Sequence, residues 1–132
     1  MKKYIWVLAA APMLWAEAQV QDFVEYANCA QEDYIVVDTA EISIGFQGSS
    51  YEPQCIKVKP GTSIQIAASS RHPLQAAEDF NNVTNPFRGE TEHLQNQTRT
   101  LTELGFYGYY CTRHADPTDG SGMGGMIWVT NE

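Results

Sequence analysis

The sequence predicts an all-β sandwich, and three observations lead to that prediction. From Tyr34 onward the apolar pattern has mostly a period of two, as at Ile42, Ile44 and Phe46, which is typical of strands with one buried face. Turn residues divide the chain into short alternating segments, and no internal repeat or low-complexity tract is present. Several short strands with such turns favour two packed sheets.

The strands are predicted in chain order from these segments. After the segment that ends at Phe46, Ile56 and Val58 lead into the turn Lys59-Pro60-Gly61-Thr62. Proline presets φ in such a turn and glycine permits a positive φ. Ile64 and Ile66 then resume the alternation.

The second half of the chain contains one irregular region and the last strands. Residues 76–92 are rich in Asn, Asp, Glu, Pro and Thr, which predicts an excursion over the surface with room for a short helix. Residues 99–111 predict two strands joined near Leu104-Gly105, and residues 125–130 predict the final strand. Residues 19–32 also fit a helical face, so their structure stays open.

The chain begins with the three-part pattern of a secretory signal peptide. Two lysines precede an apolar run from Tyr4 to Trp15, and residues 16–18 form a small-x-small cleavage pattern. That run is well short of the roughly 20 residues that a membrane-spanning helix needs. We expect cleavage after Ala18 and a periplasmic or secreted product in which residues 19–132 form a single domain.

The composition is acidic, with a formal net charge of −8 that becomes −9 once the predicted signal peptide is removed. Such a charge argues against nucleic acid and anionic membranes as partners. It keeps an exported monomer soluble, and it also permits a basic protein partner.

Metal-binding residue types cluster near the C-terminus. A strand places Tyr107, Tyr109 and Cys111 on one face, so the thiol lies where the core meets the end of the sandwich. A following loop can fold His114 and Met123 back over it. With a second imidazole, these donors make a trigonal His2Cys copper site with a weak axial methionine.

Other metal centres fit the composition less well. The chain has three cysteines, an odd number for an oxidising compartment, which marks one thiol for another task. We assign that task to Cys111 and expect Cys29 and Cys55 to form a disulfide. A structural zinc site or an iron–sulfur cluster would then lack ligands.

From about Glu52 onward the chain resembles the cupredoxins, the small blue copper proteins. The resemblance rests on the strand Gly105-Phe106-Tyr107-Gly108-Tyr109-Tyr110-Cys111, on His114, and on Gly122-Met123-Gly124-Gly125. It implies a cupredoxin-like Greek-key β-sandwich that holds one copper ion, Cu(II) or Cu(I), through His72, Cys111, His114 and Met123. His72 is the upstream histidine of that pattern.

Two departures from the cupredoxin pattern stand out. Eight residues, 115–122, separate His114 from Met123, more than is usual in the simple copper proteins. Pro73 follows His72 where the family often has an asparagine that ties the ligand loops together. Support for His72 must then come from Ser69, Ser70 or Arg71.

Some neighbouring residues are expected to have no role at the metal. Met126 competes with Met123 for the axial position, but it falls where the last strand starts and is expected to pack against a sheet. His93 lies in a polar stretch and is expected to be solvated surface. The aromatic residues Tyr107, Tyr109 and Trp128 are expected to pack in the sandwich.

The predicted function is transfer of single electrons, without enzymatic activity, to a redox partner such as a c-type cytochrome or a copper enzyme. The alternative is a periplasmic copper carrier or storage protein, which the long loop and the missing asparagine favour. Docking could use Asp116 and Asp119 against a basic partner, or apolar surface around the exposed edge of His114.

Overall fold

The computed structural model describes residues 22–132, so the predicted signal peptide and its cleavage after Ala18 lie outside the described residues. The described residues form one short 3-10 helix and nine strands. These are the helix Gln31–Asp33, β1 Ile35–Val36, β2 Glu41–Gln47, β3 Ser50–Glu52, β4 Cys55–Val58, β5 Thr62–Ile66, β6 Leu74–Ala76, β7 Gln97–Leu101, β8 Gly105–Ala115 and β9 Gly122–Val129.

The strands form two packed sheets, as the sequence predicts. One sheet has the order β1-β4-β9-β8-β6 and the other has the order β3-β2-β5-β7. The pairs β1/β4, β4/β9 and β2/β5 are parallel, whereas β8/β9, β6/β8 and β5/β7 are antiparallel. Because parallel neighbours cannot be joined by tight hairpins, the chain crosses between the sheets, as it does from β3 to β4 and back to β5 before β5 pairs with β2.

The main core lies between the sheets and reflects the alternation along β8 and β9. Tyr107, Tyr109 and Cys111 of β8 and Met123 and Ile127 of β9 belong to this inner cluster. The tyrosines pack there as expected, and the Tyr109 ring meets the Tyr51 ring edge-on at a centroid distance of 4.9 Å.

A second cluster covers the outer face of the five-stranded sheet. The segment before β1, which the sequence left open, is irregular apart from the short 3-10 helix and packs on Phe106, Met126 and Trp128. Phe106 and Trp128 stack at a centroid distance of 5.0 Å, and Phe23 meets both rings edge-on.

The predicted disulfide is confirmed and anchors this outer segment. Cys29 and Cys55 are bonded, which joins the segment to the start of β4. Within the described residues, Cys111 is the free cysteine, and it is buried.

One detail of the prediction was wrong. The last strand begins at Gly122 rather than Gly125, because Ala115 pairs with Gly122 and prolongs the β8/β9 hairpin past a bulge. After β6 ends at Ala76, the chain is irregular through residue 92, as predicted, and this region contains no helix. Side chains of this region bond backbone carbonyls instead: Asn85 donates to the Gly108 carbonyl of β8 at 2.8 Å, and Arg88 donates to the Ala77 carbonyl at 2.6 Å.

The part of the chain that the structure describes has no helix with the length and apolar character needed to cross a bilayer.

Candidate metal centre

Three of the predicted ligands converge at one end of the sandwich. The donor atoms of His72, Cys111 and His114 all lie within 4.8 Å of one another. The Cys111 sulfur is 3.8 Å from His72 Nδ1 and 3.5 Å from His114 Nδ1. The sequence therefore identified side chains that the fold brings together across 39 residues of chain.

His72 is held by the turn before β6. Its N–H donates to Ser69 Oγ at 3.1 Å, and its carbonyl accepts from the Ser69 N–H at 3.2 Å. Two residues later, Leu74 pairs with Cys111 in the β6/β8 register. The β6/β8 pairing therefore positions His72 relative to Cys111.

The absent asparagine after His72 is replaced by two other ties between the ligand segments. The Pro73 carbonyl accepts from the Thr112 N–H at 3.0 Å. Arg113 Nη1 donates to the Ser70 carbonyl at 3.1 Å. Of the candidates that the sequence suggested, Ser69 bonds His72 directly, and Ser70 bonds Arg113, whose contribution was not foreseen.

The two imidazoles have different environments. His72 is buried and its ring packs edge-on against Phe46 at a centroid distance of 4.5 Å, whereas His114 is exposed. Burial lowers the pKa of His72, and the nearby His114 lowers it further. A lowered pKa favours the neutral imidazole, which is the form that binds metals.

The alternation along β9 separates the two methionines. Met123 is fully buried in the inner cluster with Cys111, whereas Met126 lies in the outer cluster beside the disulfide. Tyr110 pairs with Gly124, and a bulge follows before Ala115 pairs with Gly122, so Cys111 and Met123 both lie at this bulge, where both belong to the inner cluster. Only Met123 is therefore on the face that carries the cysteine.

The long connection between His114 and Met123 is an ordered part of the structure. His114 lies in β8 and Met123 lies in β9, so the irregular part of the connection is only residues 116–121. The Tyr26 hydroxyl donates to the Pro117 carbonyl at 3.0 Å, and the Ala27 N–H donates to the Asp119 carbonyl at 2.8 Å. The outer segment thus holds the loop that joins two predicted ligands.

Glycines permit the close packing around this loop. Gly120 has a φ of +71°, and a Cβ there would collide with the Tyr26 ring. A Cβ on Gly125 would collide with the Tyr109 ring in the same way. These contacts explain the glycine-rich sequence around Met123.

Comparison with known proteins agrees with this architecture. No family model matches the sequence, and no curated protein matches it significantly. Among solved structures, pseudoazurin from Methylobacterium extorquens AM1 has a TM-score of 0.53 at 18% identity, over 70% of this chain and 76% of that chain. The copper-containing nitrite reductase NirK from Thermus scotoductus SA-01 has a TM-score of 0.51 at 18% identity, over 76% of this chain. The chain has the cupredoxin fold. It spans only 29% of the nitrite reductase.

The donor arrangement of this cupredoxin fold is compatible with copper. For metal–nitrogen and metal–sulfur bonds of about 2.0 and 2.3 Å at trigonal angles, a nitrogen and a sulfur lie about 3.7 Å apart. The observed separations of 3.5 and 3.8 Å bracket that value. One thiolate with two imidazoles is also a donor set that copper prefers over magnesium or calcium.

His93 differs from its sequence prediction as solvated surface. It is half-buried, its Nε2 donates to the Phe87 carbonyl at 2.8 Å, and its backbone exchanges two hydrogen bonds with Leu74. The prediction was wrong because no local pattern showed that the loop returns to the edge of β6. His93 lies outside the cluster of three donors.

Proposed function

We propose that this protein is an exported type 1 blue copper protein that carries single electrons between redox partners. The observation that supports the proposal is the meeting of His72, Cys111 and His114 at one end of a cupredoxin-fold sandwich. In this proposal Met123 is the axial ligand, since it shares the inner face with Cys111.

The ligand set suits electron transfer. Bound copper would supply the Cu(II)/Cu(I) couple, and three strong donors with one weak donor suit both states. The chain's own residues hold these donors before the metal arrives: Cys111 and His72 are buried, and their segments are tied by Thr112 and Arg113. His114 is the exposed member of the three donors, so in this proposal electrons pass through its edge.

Electron transfer without enzymatic turnover is the role we favour. The whole chain has three histidines, and the multi-copper enzymes build additional centres from many histidines. Similarity to the nitrite reductase covers a small share of that enzyme and shows the fold alone. The proposed partner is another redox protein, such as a c-type cytochrome or a copper enzyme. In this proposal the protein acts in the periplasm or outside the cell, as a monomer with one domain at residues 19–132.

The two features that favoured a copper carrier, the long loop and the missing asparagine, are both compensated in the structure. The long loop is anchored by Tyr26 and Ala27, and the missing asparagine is replaced by the Pro73–Thr112 and Ser70–Arg113 hydrogen bonds. Neither feature therefore indicates a loose site that exchanges its metal.

Titration of the mature protein with Cu(II) tests the proposal. We expect an intense thiolate-to-copper absorption that saturates at one equivalent, and a reversible one-electron wave in voltammetry. Cys111→Ser should abolish the absorption, whereas Met126→Leu, on the other face of β9, should keep it. A native protein that binds copper without this absorption would contradict the type 1 site, and absorption without a reversible wave would restore the carrier hypothesis.

A further inference from the structure

The exposed edge of His114 borders an open cleft with an unusual charge. The cleft has a volume of about 480 Å³ and is lined by Ser70, Arg71, Arg113 and His114. All four of these residues are exposed. Two guanidinium groups therefore flank the histidine through which the proposed copper centre reaches the surface.

The charge of this cleft is opposite in sign to the net charge of the protein. The chain carries a formal charge of −8, yet none of the residues that line the cleft is acidic. The surface beside His114 is therefore basic, although the protein as a whole is acidic.

Three of the four other cationic side chains of the described residues are engaged elsewhere, Lys59 being the fourth. Arg88 bonds Asp79 at 2.7 Å, Lys57 lies over the Trp128 ring, and the Arg99 guanidinium lies over the Phe87 ring. Arg113 has one contact, to the Ser70 carbonyl, which uses one of its five N–H donors. The remaining donors suit a carboxylate, which guanidinium groups bind in bidentate fashion.

The acidic residues that the sequence suggested for docking belong to another part of the surface. Asp119 lines a different cleft with Glu25 and Tyr26, and its carboxylate accepts from the Ser121 N–H at 2.9 Å. The carboxylate of Asp116 accepts from the Thr118 N–H at 2.9 Å. Neither residue lines the cleft beside His114.

We propose that Arg71 and Arg113 form a docking site for the carboxylate-bearing surface of an acidic redox protein and place that surface against the edge of His114. The proposal rests on the proposed function, because it assigns the electron route to His114. Over distances beyond the Debye length of about 8 Å, the two net negative charges are screened at physiological ionic strength. Close to the surface, the arginines attract a carboxylate cluster only when the partner approaches His114.

The first experiment maps anion contacts without electron transfer. Amide spectra of the mature protein, kept reduced with ascorbate, are titrated with hexacyanochromate(III), a paramagnetic anion. We expect selective broadening of Ser70, Arg71 and Arg113, and its loss in the double variant Arg71→Gln/Arg113→Gln. Lys59→Gln, in the turn after β4 and outside the lining of the cleft, is the control for loss of a positive charge and should keep the broadening.

The second experiment measures the electron step. Hexacyanoferrate(III) accepts one electron from the Cu(I) protein, which yields hexacyanoferrate(II) and the Cu(II) protein. At low ionic strength we expect the double variant to react about fivefold or more slowly, with little change for the cationic oxidant tris(phenanthroline)cobalt(III). The variant Arg71→Gln/Arg113→Lys retains one positive charge but lacks the planar guanidinium group. It should react faster than Arg71→Gln/Arg113→Gln and more slowly than the native protein, which separates loss of charge from loss of the Ser70 contact.

A competition assay separates a protein surface from a free anion. An oligoglutamate peptide should displace hexacyanochromate(III) at a lower concentration than inorganic phosphate does, and equal or better displacement by phosphate would overturn the assignment to a protein partner. One-electron reactivity without selective broadening would overturn the docking site and leave the proposed function intact. Broadening without any copper redox reaction would overturn the proposed function and the partner assignment with it.

Discussion

The two faces of the β8/β9 hairpin hold two different kinds of sulfur chemistry. The inner face carries the free thiol of Cys111 and the thioether of Met123 within the main core. The outer face carries Met126 beside the Cys29–Cys55 disulfide under a layer of aromatic rings. Because consecutive side chains of a strand point to opposite faces, residues three apart in sequence belong to separate environments. One hairpin thus keeps a candidate metal centre and a structural disulfide on separate faces.

The largest effects are expected from truncating either methionine, and only one of them should affect the metal. Met123→Ala and Met126→Ala each remove a fully buried side chain, which typically costs about 2–5 kcal/mol of stability. Only Met123→Ala should also change the copper absorption spectrum and the reduction potential. Denaturant unfolding and voltammetry on both variants provide the measurements, and a spectral change confined to Met126→Ala would reverse our assignment of the faces.

The second-largest effect is expected from removal of the disulfide, which should lower the free energy of unfolding. The two cysteines are 26 residues apart, and restriction of an unfolded chain by a loop of that length corresponds to about 3.5 kcal/mol. We expect Cys29→Ala/Cys55→Ala to lose stability of that order in urea unfolding and to retain the blue absorption at low temperature. Loss of that absorption in a variant that is still folded would mean that the two faces are coupled more tightly than their separate clusters suggest.

A smaller effect is expected where the outer segment holds the ligand loop. Tyr26→Phe keeps the ring against Gly120 but removes the hydrogen bond to the Pro117 carbonyl, a loss of about 1 kcal/mol. Tyr107→Phe is the matched control, since it removes a comparable bond to the Glu103 carbonyl in the main sandwich. Both variants should unfold at lower urea concentration, and only Tyr26→Phe should alter the copper electron-paramagnetic-resonance spectrum.

The smallest effect concerns the surface pair of Asp79 and Arg88. The hydrogen bond from Arg88 lowers the pKa of Asp79 below its ordinary value of 3.8, and both side chains are more than two-fifths exposed. A lowered pKa adds stability above pH 3.8, and that stability is lost as the pH falls through the folded value. Solvent screening limits the contribution to less than about 1 kcal/mol. Stability measured from pH 7 to pH 3 should therefore fall slightly more for the native protein than for Asp79→Asn.

Local patterns were sufficient for the strands and for part of the candidate site. Alternation located β2, β4 and β5, and the short spacing between Cys111 and His114 identified both residues. The prediction failed where a segment is organised by distant contacts. His93 bonds the Phe87 carbonyl and the Leu74 backbone, and Tyr26 bonds a loop 91 residues away. No periodicity in the sequence encodes such contacts.

The sequence by itself predicted the sheet-rich architecture from side-chain period and the disulfide pairing from the cysteine count. Donor chemistry and spacing indicated Cys111, His114 and Met123 as copper ligands, whereas His72 came from the resemblance to the cupredoxins. Only the tertiary structure decided that Met123 and Met126 lie on opposite faces of β9, that Arg113 and Thr112 replace the missing asparagine, and that two arginines border His114. The physical reason is that strand register and loop packing depend on cross-chain hydrogen bonds and close contacts, which join residues that the sequence keeps far apart.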